Sequence, residues 1–154
     1  AAMIHDLNEA GEALIKKWEG LRLKKYYCVA GYPTIGYGNV IANDESYSVI
    51  THQQAEELFD HDKQVYIQGA NNLTGGTKIN DNQFAAVVSL MYNNGIDGVT
   101  NSTTGYLLRN GKFAEAIARF PMWCKARDPK TKKMVKVQGL LNRRLEEVAL
   151  FNTP

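Results

Sequence analysis

Three side chains with catalytic potential lie close together near the start of the sequence. Glu19 is followed after eight residues by Cys28, and Thr34 comes after five more. A carboxyl group can protonate a leaving oxygen, while a thiol or a hydroxyl can hold or activate a water molecule. Cleavage of a glycosidic bond needs both functions, because its transition state resembles an oxocarbenium ion. The trio therefore favours acid-assisted hydrolysis, although each residue alone would be ordinary.

The elements around the trio are predicted to be a helix and a hairpin. Apolar residues recur at helical spacing over about 7–18, and Asp6 with Glu9 resembles a capping box. The predicted strands cover Leu23–Val29, Thr34–Tyr37 and a short segment near 47–50. Glu19 would thus close the helix, and the other two members of the trio would flank the hairpin turn.

The rest of the chain is predicted to be mostly helical. Thr51 with Gln54 is a capping signature that opens a helix long enough to bridge two lobes. Asn80 with Gln83 opens the apolar run Phe84–Tyr92, which predicts a central core helix. The remaining elements are two short helices within 100–120, a basic loop or weak hairpin over 127–136 and an amphipathic helix over 139–151. This order indicates an α+β fold that is mostly helical.

Size and composition indicate a globular domain that needs no metal or cofactor to fold. The chain has 154 residues, of which 44% are apolar and 22% charged. Cys28 and Cys124 are too few for a disulfide scaffold and lack zinc-ligand spacing, although a regulatory disulfide between them stays open. No apolar run approaches the roughly 20 residues that span a bilayer. The first residues, which begin with Ala1 and Ala2, do not resemble a signal peptide.

The net charge of +2 is unevenly distributed. Nine basic residues and one acidic residue, Asp128, lie between Arg119 and Arg144. Such a basic segment favours a polyanionic partner, which could be a cell-wall polymer, a nucleic acid or a membrane surface. A solvated loop without any partner is the alternative interpretation. Because no nucleic-acid recognition motif is present, we expect no nucleic-acid binding.

Four segments match, in order, the motifs of a known family. The glutamate, eight residues, cysteine, five residues and threonine of the trio form the first match. The others are QFAAVVSLMYNNG at 83–95, STTGYLLRNGKFAEAIARFPMWCK at 102–125 and GLLNRRLEEVALF at 139–151. On these motifs the sequence closely resembles the phage-type, T4-lysozyme-like lysozymes, which are endolysins and muramidases. The resemblance covers nearly the whole chain.

The resemblance implies a fold, an activity and a place of action. It implies one lysozyme-like domain over 1–154, with a β-hairpin lobe over about 20–55 and a helical lobe over about 1–19 and 66–154, joined by a long helix. Its implied activity is cleavage of the β-1,4 bond between N-acetylmuramic acid and N-acetylglucosamine in peptidoglycan, which lyses the cell. A monomer is expected, without stable membrane insertion. It would be made in the host cytoplasm and act on the periplasmic or extracellular wall, by an export route that stays open.

The resemblance also assigns roles to residues. Glu19 would be the general acid. Cys28 would stand where the family usually has an aspartate that stabilises the transition state and activates water, and Thr34 would help to hold that water or the sugar. The implied substrate-binding residues, which would line the cleft between the lobes or approach Glu19, are Tyr92, Asn93, Asn142 and Arg143.

Two residues depart from the family pattern. A thiol with a pKa of about 8.5 is mostly neutral at pH 7, so Cys28 could assist water less strongly than an aspartate does. As a thiolate it could instead attack the anomeric carbon, which would change inversion into retention. Asn39 replaces the usual histidine, so we expect the family's histidine–carboxylate interaction to be absent.

Two other functions remain open on the same residues. A lytic transglycosylase would cut the same bond with one acid/base and release a 1,6-anhydro product. A catalytically silent wall-binding protein would keep the fold without the chemistry. The presence of both Glu19 and Thr34 argues against the silent protein.

Overall fold

The chain forms two compact units. A computed structural model describes residues 4–28, 31–41 and 48–154. One unit comprises the residues up to Leu14 together with Tyr66–Pro154, and we call it the helical unit. The other comprises Ile15–Val65, and we call it the sheet unit. The fold class is α+β and mostly helical, as predicted.

Seven helices and five strands are present in the described residues. The helices are α1 (Glu9–Glu19), α2 (His52–Thr74), α3 (Asp81–Asn94), α4 (Ile96–Thr100), α5 (Thr103–Arg109), α6 (Phe113–Arg119) and α7 (Gln138–Phe151), and a short 3-10 helix covers Phe120–Met122. The strands are β1 (Arg22–Tyr27), β2 (Pro33–Gly36), β3 (Asn39–Val40), β4 (Lys125–Arg127) and β5 (Met134–Lys136).

The sheet unit is built around three antiparallel strands in the order β1-β2-β3. The register between β1 and β2 places Tyr26 opposite Thr34. In place of the third strand predicted near 47–50, Val49 makes an isolated bridge to Lys24, and Ile50 N donates to Leu23 O at 2.9 Å. The predicted end of the first strand at residue 29 and the start of the third at residue 47 lie outside the described residues.

Two of the three predicted helix starts are confirmed. Gln54 N donates to Thr51 Oγ1 and Thr51 N donates to Gln54 Oε1, which closes the first capping box. The Asn80–Gln83 box is closed in the same way before α3. The predicted box at Asp6 is wrong: α1 begins at Glu9, because the side chain of Asn8 accepts from Gly11 N at 2.9 Å.

The core of the helical unit is α3, as its apolar run predicted. Every residue from Phe84 to Met91 is buried, and α3 packs against α7. The predicted hairpin in the basic segment is present as β4 and β5. Two short elements, β3 and α4, were not predicted, because two to five residues are too few to show a period.

Candidate active site

Glu19 is the last residue of α1, and its carboxylate lies against a glycine of the sheet unit. Oε1 of Glu19 is 2.6 Å from the position that a Cβ on Gly38 would occupy. Gly38 has a φ of +74°, which glycine adopts without strain. Any side chain at this position would displace the carboxylate. The turn between β2 and β3 therefore has room for the Glu19 carboxylate only because residue 38 is a glycine.

Cys28 and Thr34 are joined through the backbone of the hairpin. The carbonyl oxygen of Tyr32 accepts from Cys28 N at 3.0 Å and from Thr34 Oγ1 at 2.9 Å. Thr34 is buried, whereas Cys28 is half-buried and in no disulfide. Because both contacts end on one oxygen, the same turn holds the backbone of Cys28 and the hydroxyl of Thr34.

Tyr26 lies among the three predicted catalytic residues. It pairs with Thr34 across the two strands, and the guanidinium of Arg22 lies 4.5 Å from the centre of its ring. Burial raises the pKa of Tyr26, the charge of Glu19 raises it further, Arg22 lowers it, and the interaction with Cys28 raises it. Tyr26 thus lies opposite Thr34 in the sheet, and its pKa responds to both Glu19 and Cys28.

Asn39 holds the turn that carries Gly38. Its Oδ1 accepts from Tyr37 N at 3.0 Å, and its Nδ2 donates to Asp62 Oδ2 at 2.8 Å. At this position the structure has an amide–carboxylate hydrogen bond between Asn39 and Asp62. Because an amide does not titrate, this contact does not depend on the protonation of a histidine.

A second polar cluster supports the same turn. Glu56 accepts from Lys16 Nζ and, at 2.7 Å, from Tyr37 Oη. The bond from Lys16, followed by that from Tyr37, lowers the pKa of Glu56. Burial and the bond to Glu56 raise the pKa of Tyr37 to about 12. The cluster thus joins α1, the turn and α2 within the sheet unit.

The four predicted substrate-binding residues lie in the helical unit. Tyr92 and Asn93 are half-buried near the end of α3, where the ring of Tyr92 lies 4.8 Å from that of Tyr66. Asn142 is exposed on α7 and accepts from Gln138 Nε2 at 3.0 Å. Arg143, the next residue, is buried. Their role in substrate binding stays a prediction.

A buried ionic network connects α3 and α7. Arg144 and Glu147 are both fully buried, and Arg144 Nε lies 2.8 Å from Glu147 Oε1 at an angle outside hydrogen-bond geometry. Ser89 Oγ donates to Glu147 Oε2, and Arg143 Nη2 donates to Ser89 O at 3.3 Å. Arg144 Nη2 also donates to Asn93 Oδ1 at 2.8 Å. The network therefore reaches one of the predicted substrate-binding residues.

The basic segment contributes less surface charge than its sequence indicates. Arg143 and Arg144 are two of its nine basic residues, and both are buried in the network. A pocket of about 360 Å³ lies beside the segment, with Arg119, Trp123 and Lys125 in its lining. None of the predicted catalytic or substrate-binding residues lines it. Within the described ranges, no group of three or more His, Cys, Asp or Glu side chains could hold a metal ion.

Sequence reasoning missed several residues of these clusters, although the sequence contains signals for some of them. Tyr26 precedes Cys28 by two residues, which is the spacing of one face of a strand. Ser89 is the single polar residue in the run from Phe84 to Met91, so a polar partner was to be expected. No local pattern indicates the contact between Gly38 and Glu19, because it joins residues that are far apart in the sequence.

Comparisons with known proteins point to one family. The family model described as phage lysozyme matches residues 16–147. The endolysin of Bacillus phage PZA is 39% identical over 96% of this chain, which covers 55% of that protein. The endolysin of Acyrthosiphon pisum secondary endosymbiont phage 1 is 37% identical over 96% of this chain and 98% of that protein.

A solved structure gives the same result. The muramidase domain of SpmX from Asticaccaulis excentricus matches with a TM-score of 0.87 and 31% identity, over 97% of this chain and 99% of that one. The chain thus spans the whole of some relatives but about half the length of the Bacillus phage endolysins.

Proposed function

Because the chain belongs to the phage lysozyme family, we propose that it is a muramidase that hydrolyses the β-1,4 bond between N-acetylmuramic acid and N-acetylglucosamine in peptidoglycan. The strongest structural support is the contact of the Glu19 carboxylate with Gly38, in the same three-stranded sheet whose first turn carries Cys28 and Thr34. Glycoside hydrolysis requires an acid that protonates the leaving oxygen and groups that hold the water, and this sheet carries candidates for both.

Glu19 is the proposed general acid. It donates its proton to the glycosidic oxygen as the bond from that oxygen to the anomeric carbon breaks. A carboxyl group contributes most when it is held at one place relative to the bond. Its contact with Gly38 supplies that restraint, since Gly38 is itself fixed in the turn that Asn39 closes.

Thr34 is the proposed acceptor for the attacking water. Its hydroxyl proton is already directed to Tyr32 O, so towards any other group Oγ1 acts as an acceptor. A water molecule that donates to Oγ1 keeps its lone pairs available for the anomeric carbon. The orientation of the hydroxyl therefore favours a nucleophilic water.

Cys28 is proposed to assist this water rather than to attack the sugar. A single attack by water inverts the configuration at the anomeric carbon, whereas attack by the sulfur followed by hydrolysis retains it. The configuration of the newly formed reducing end, read by proton NMR before it equilibrates, separates the two routes. Inversion supports the proposed role, and retention that is lost in Cys28→Ser would show covalent attack.

The proposed place of action is the cell wall. None of the described helices is long and apolar enough to cross a membrane. We propose that the protein acts as a monomer on the periplasmic or outer side of the membrane, where peptidoglycan lies. Light scattering during size-exclusion chromatography would test the monomeric state.

The proposal is tested by removing the acid. Glu19→Gln keeps the shape of the side chain but lacks a proton to donate, so we expect lysis of outer-membrane-permeabilised cells to fall at least a hundredfold. Glu9→Gln is the matched control, because it makes the same charge change in the first turn of the same helix. Full lysis by Glu19→Gln would refute the mechanism.

A further inference from the structure

The pocket beside the basic segment is lined by positive charge. Its volume of about 360 Å³ lies in the range of ligand sites, and its ionisable lining residues are Arg119 and Lys125. No aspartate or glutamate is among the described residues that line it. Within the described ranges, neither cation forms an ion pair with a carboxylate. The pocket therefore favours an anionic ligand.

A buried hydroxyl adds a hydrogen-bond donor to this pocket. Thr104 lines the pocket and is 2% exposed, and its Oγ1 accepts from Trp123 Nε1 at 3.0 Å. Because an indole nitrogen can only donate, this contact does not use the hydroxyl proton of Thr104. No described residue accepts that proton. A buried donor without an acceptor is uncommon in a folded protein, and an oxygen of a bound anion would satisfy it.

The hairpin of β4 and β5 extends the positive charge beyond the pocket. Lys125 lies opposite Lys136, and Arg127 lies opposite Met134. Alternate residues of a strand share one face with their direct partners, so these four side chains lie on the face that borders the pocket. Asp128, the acidic residue of the segment, accepts from backbone nitrogens of the turn and pairs with no lysine side chain that the structure describes. Like charges directly opposite each other are unfavourable, and an anion on this face would relieve their repulsion.

Two exposed methionines lie at the same place. Met122 is 61% exposed and Met134 is 55% exposed, and both line the pocket. Cations beside exposed apolar side chains fit the interface of a membrane, where phosphate groups lie next to hydrocarbon. A phosphate-bearing polymer dissolved in water would pair with the cations but would leave the methionines in water. The combination therefore favours a phospholipid over such a polymer.

We propose that this pocket binds the phosphate group of an anionic phospholipid, so that the protein docks on the surface of a membrane. Arg119 and Lys125 pair with the phosphate, and Thr104 donates its hydroxyl proton to a phosphate oxygen. The cationic face of the hairpin lies against neighbouring headgroups, and the two methionines enter the boundary between headgroups and hydrocarbon. The contact uses no residue of the proposed mechanism and inserts no segment across the bilayer.

The first test is binding to lipid vesicles in the absence of peptidoglycan. The protein is sedimented with vesicles of phosphatidylcholine alone and with vesicles of an equal mixture of phosphatidylcholine and phosphatidylglycerol. We expect the partition constant to be about tenfold higher or more for the mixed vesicles, and to fall as salt screens the charges. Equal partition into both kinds of vesicle would overturn the proposal. Because no peptidoglycan is present, this result is independent of the proposed function.

Two double variants of equal charge separate the pocket from net charge. Arg119→Gln with Lys125→Gln removes both cations of the pocket, whereas Lys78→Gln with Lys112→Gln removes two exposed cations that lie outside the pocket and the hairpin. We expect the first pair to lower the partition constant about tenfold or more and the second pair less than about twofold. Equal losses would show that net charge alone attracts the protein, and the proposed site would be wrong. If the first pair does not fold, Lys125→Gln alone, at an exposed position, decides.

A further pair of measurements tests whether the phosphate belongs to a lipid. Met122→Gln with Met134→Gln keeps the length of both side chains but makes them polar, so we expect the partition constant for mixed vesicles to fall about fivefold. A soluble polymer of glycerol phosphate has the same phosphodiester charge without hydrocarbon, and we expect it to bind more weakly than the vesicles at equal phosphate concentration. Equal affinity for the polymer, unchanged by the methionine substitutions, would identify a phosphate-bearing polymer as the ligand and would overturn docking on a membrane.

Discussion

Glu56 and Glu147 are each the centre of a polar cluster, one in the sheet unit and one in the helical unit. Glu56 is partly exposed, and the bonds from Lys16 and Tyr37 lower its pKa. Glu147 is fully buried, and burial raises its pKa although Arg144 acts in the opposite direction. Hydrogen-bond donors thus set the direction of the pKa shift where water still reaches the carboxylate. Loss of hydration sets it where water does not.

This difference in burial indicates that the polar clusters of the two units affect different properties of the protein. In the sheet unit, Glu19 and Cys28 are only half-buried, so substrate and water can reach them. In the helical unit, Arg144 and Glu147 are fully buried. Substitutions in the buried network should therefore change stability first, and those near Glu19 should change rate first.

The largest expected effect is that of Glu147→Gln. The substitution removes the carboxylate that Arg143 and Arg144 share, and removing one partner of a buried pair costs about 3–5 kcal/mol. We expect the free energy of unfolding in urea to fall by that amount. Glu146→Gln is the matched control, since it makes the same change on the adjacent, half-buried residue. A loss below about 1 kcal/mol would remove the contrast between the two clusters.

The next effect is expected at Thr34. Thr34→Val keeps the shape of the side chain but removes the acceptor for water, and a single hydrogen bond is worth on the order of 1 kcal/mol. We predict an approximately fivefold lower kcat, with most of the rate restored by Thr34→Ser. Unchanged turnover by Thr34→Val would show that water is held elsewhere.

The smallest effect is expected at Glu56, and it depends on pH. Because its pKa is lowered in the folded protein, the contribution of Glu56 is complete above the ordinary value of 4.5 and is lost as the pH falls through the lowered value. The side chain is 37% exposed, so solvent screening should keep this contribution below about 1 kcal/mol.

The comparison that checks this prediction is Glu56→Gln against wild type across pH. The difference in the free energy of unfolding should be largest near neutrality and should disappear in acid. Glu57→Gln, the exposed neighbour, should show little difference at any pH. If the difference in the free energy of unfolding between Glu56→Gln and wild type grew as the pH falls, the carboxylate would not be stabilised by Lys16 and Tyr37.

Much of the fold could be predicted because its signals are local. The capping boxes at Thr51 and Asn80 and the apolar run of α3 each fix an element within a few residues of chain. The start of α1 was misplaced because two neighbouring side chains could cap it. Asn8 does so, while Asp6 accepts instead from Leu7 N at 2.8 Å.

The site could be predicted only where a motif marks it. The spacing of Glu19, Cys28 and Thr34 is such a motif. The structure places Cys28 and Thr34 at the turn between β1 and β2, and Glu19 against the turn between β2 and β3. The buried network could not be found in the same way, because Arg144 and Glu147 resemble the surface charges of an amphipathic helix. Charged side chains are almost never fully buried unless they are paired, and the pairing depends on how α7 meets α3.

The most direct test of the proposed activity is the mass of the products that the wild-type protein releases from purified peptidoglycan. Hydrolysis adds one water across the glycosidic bond, so we predict fragments that end in reducing N-acetylmuramic acid. Fragments lighter by one water, with a 1,6-anhydro end, would instead identify a lytic transglycosylase. The absence of any fragment would identify a wall-binding protein without catalysis, and either result would contradict a hydrolytic role for Glu19.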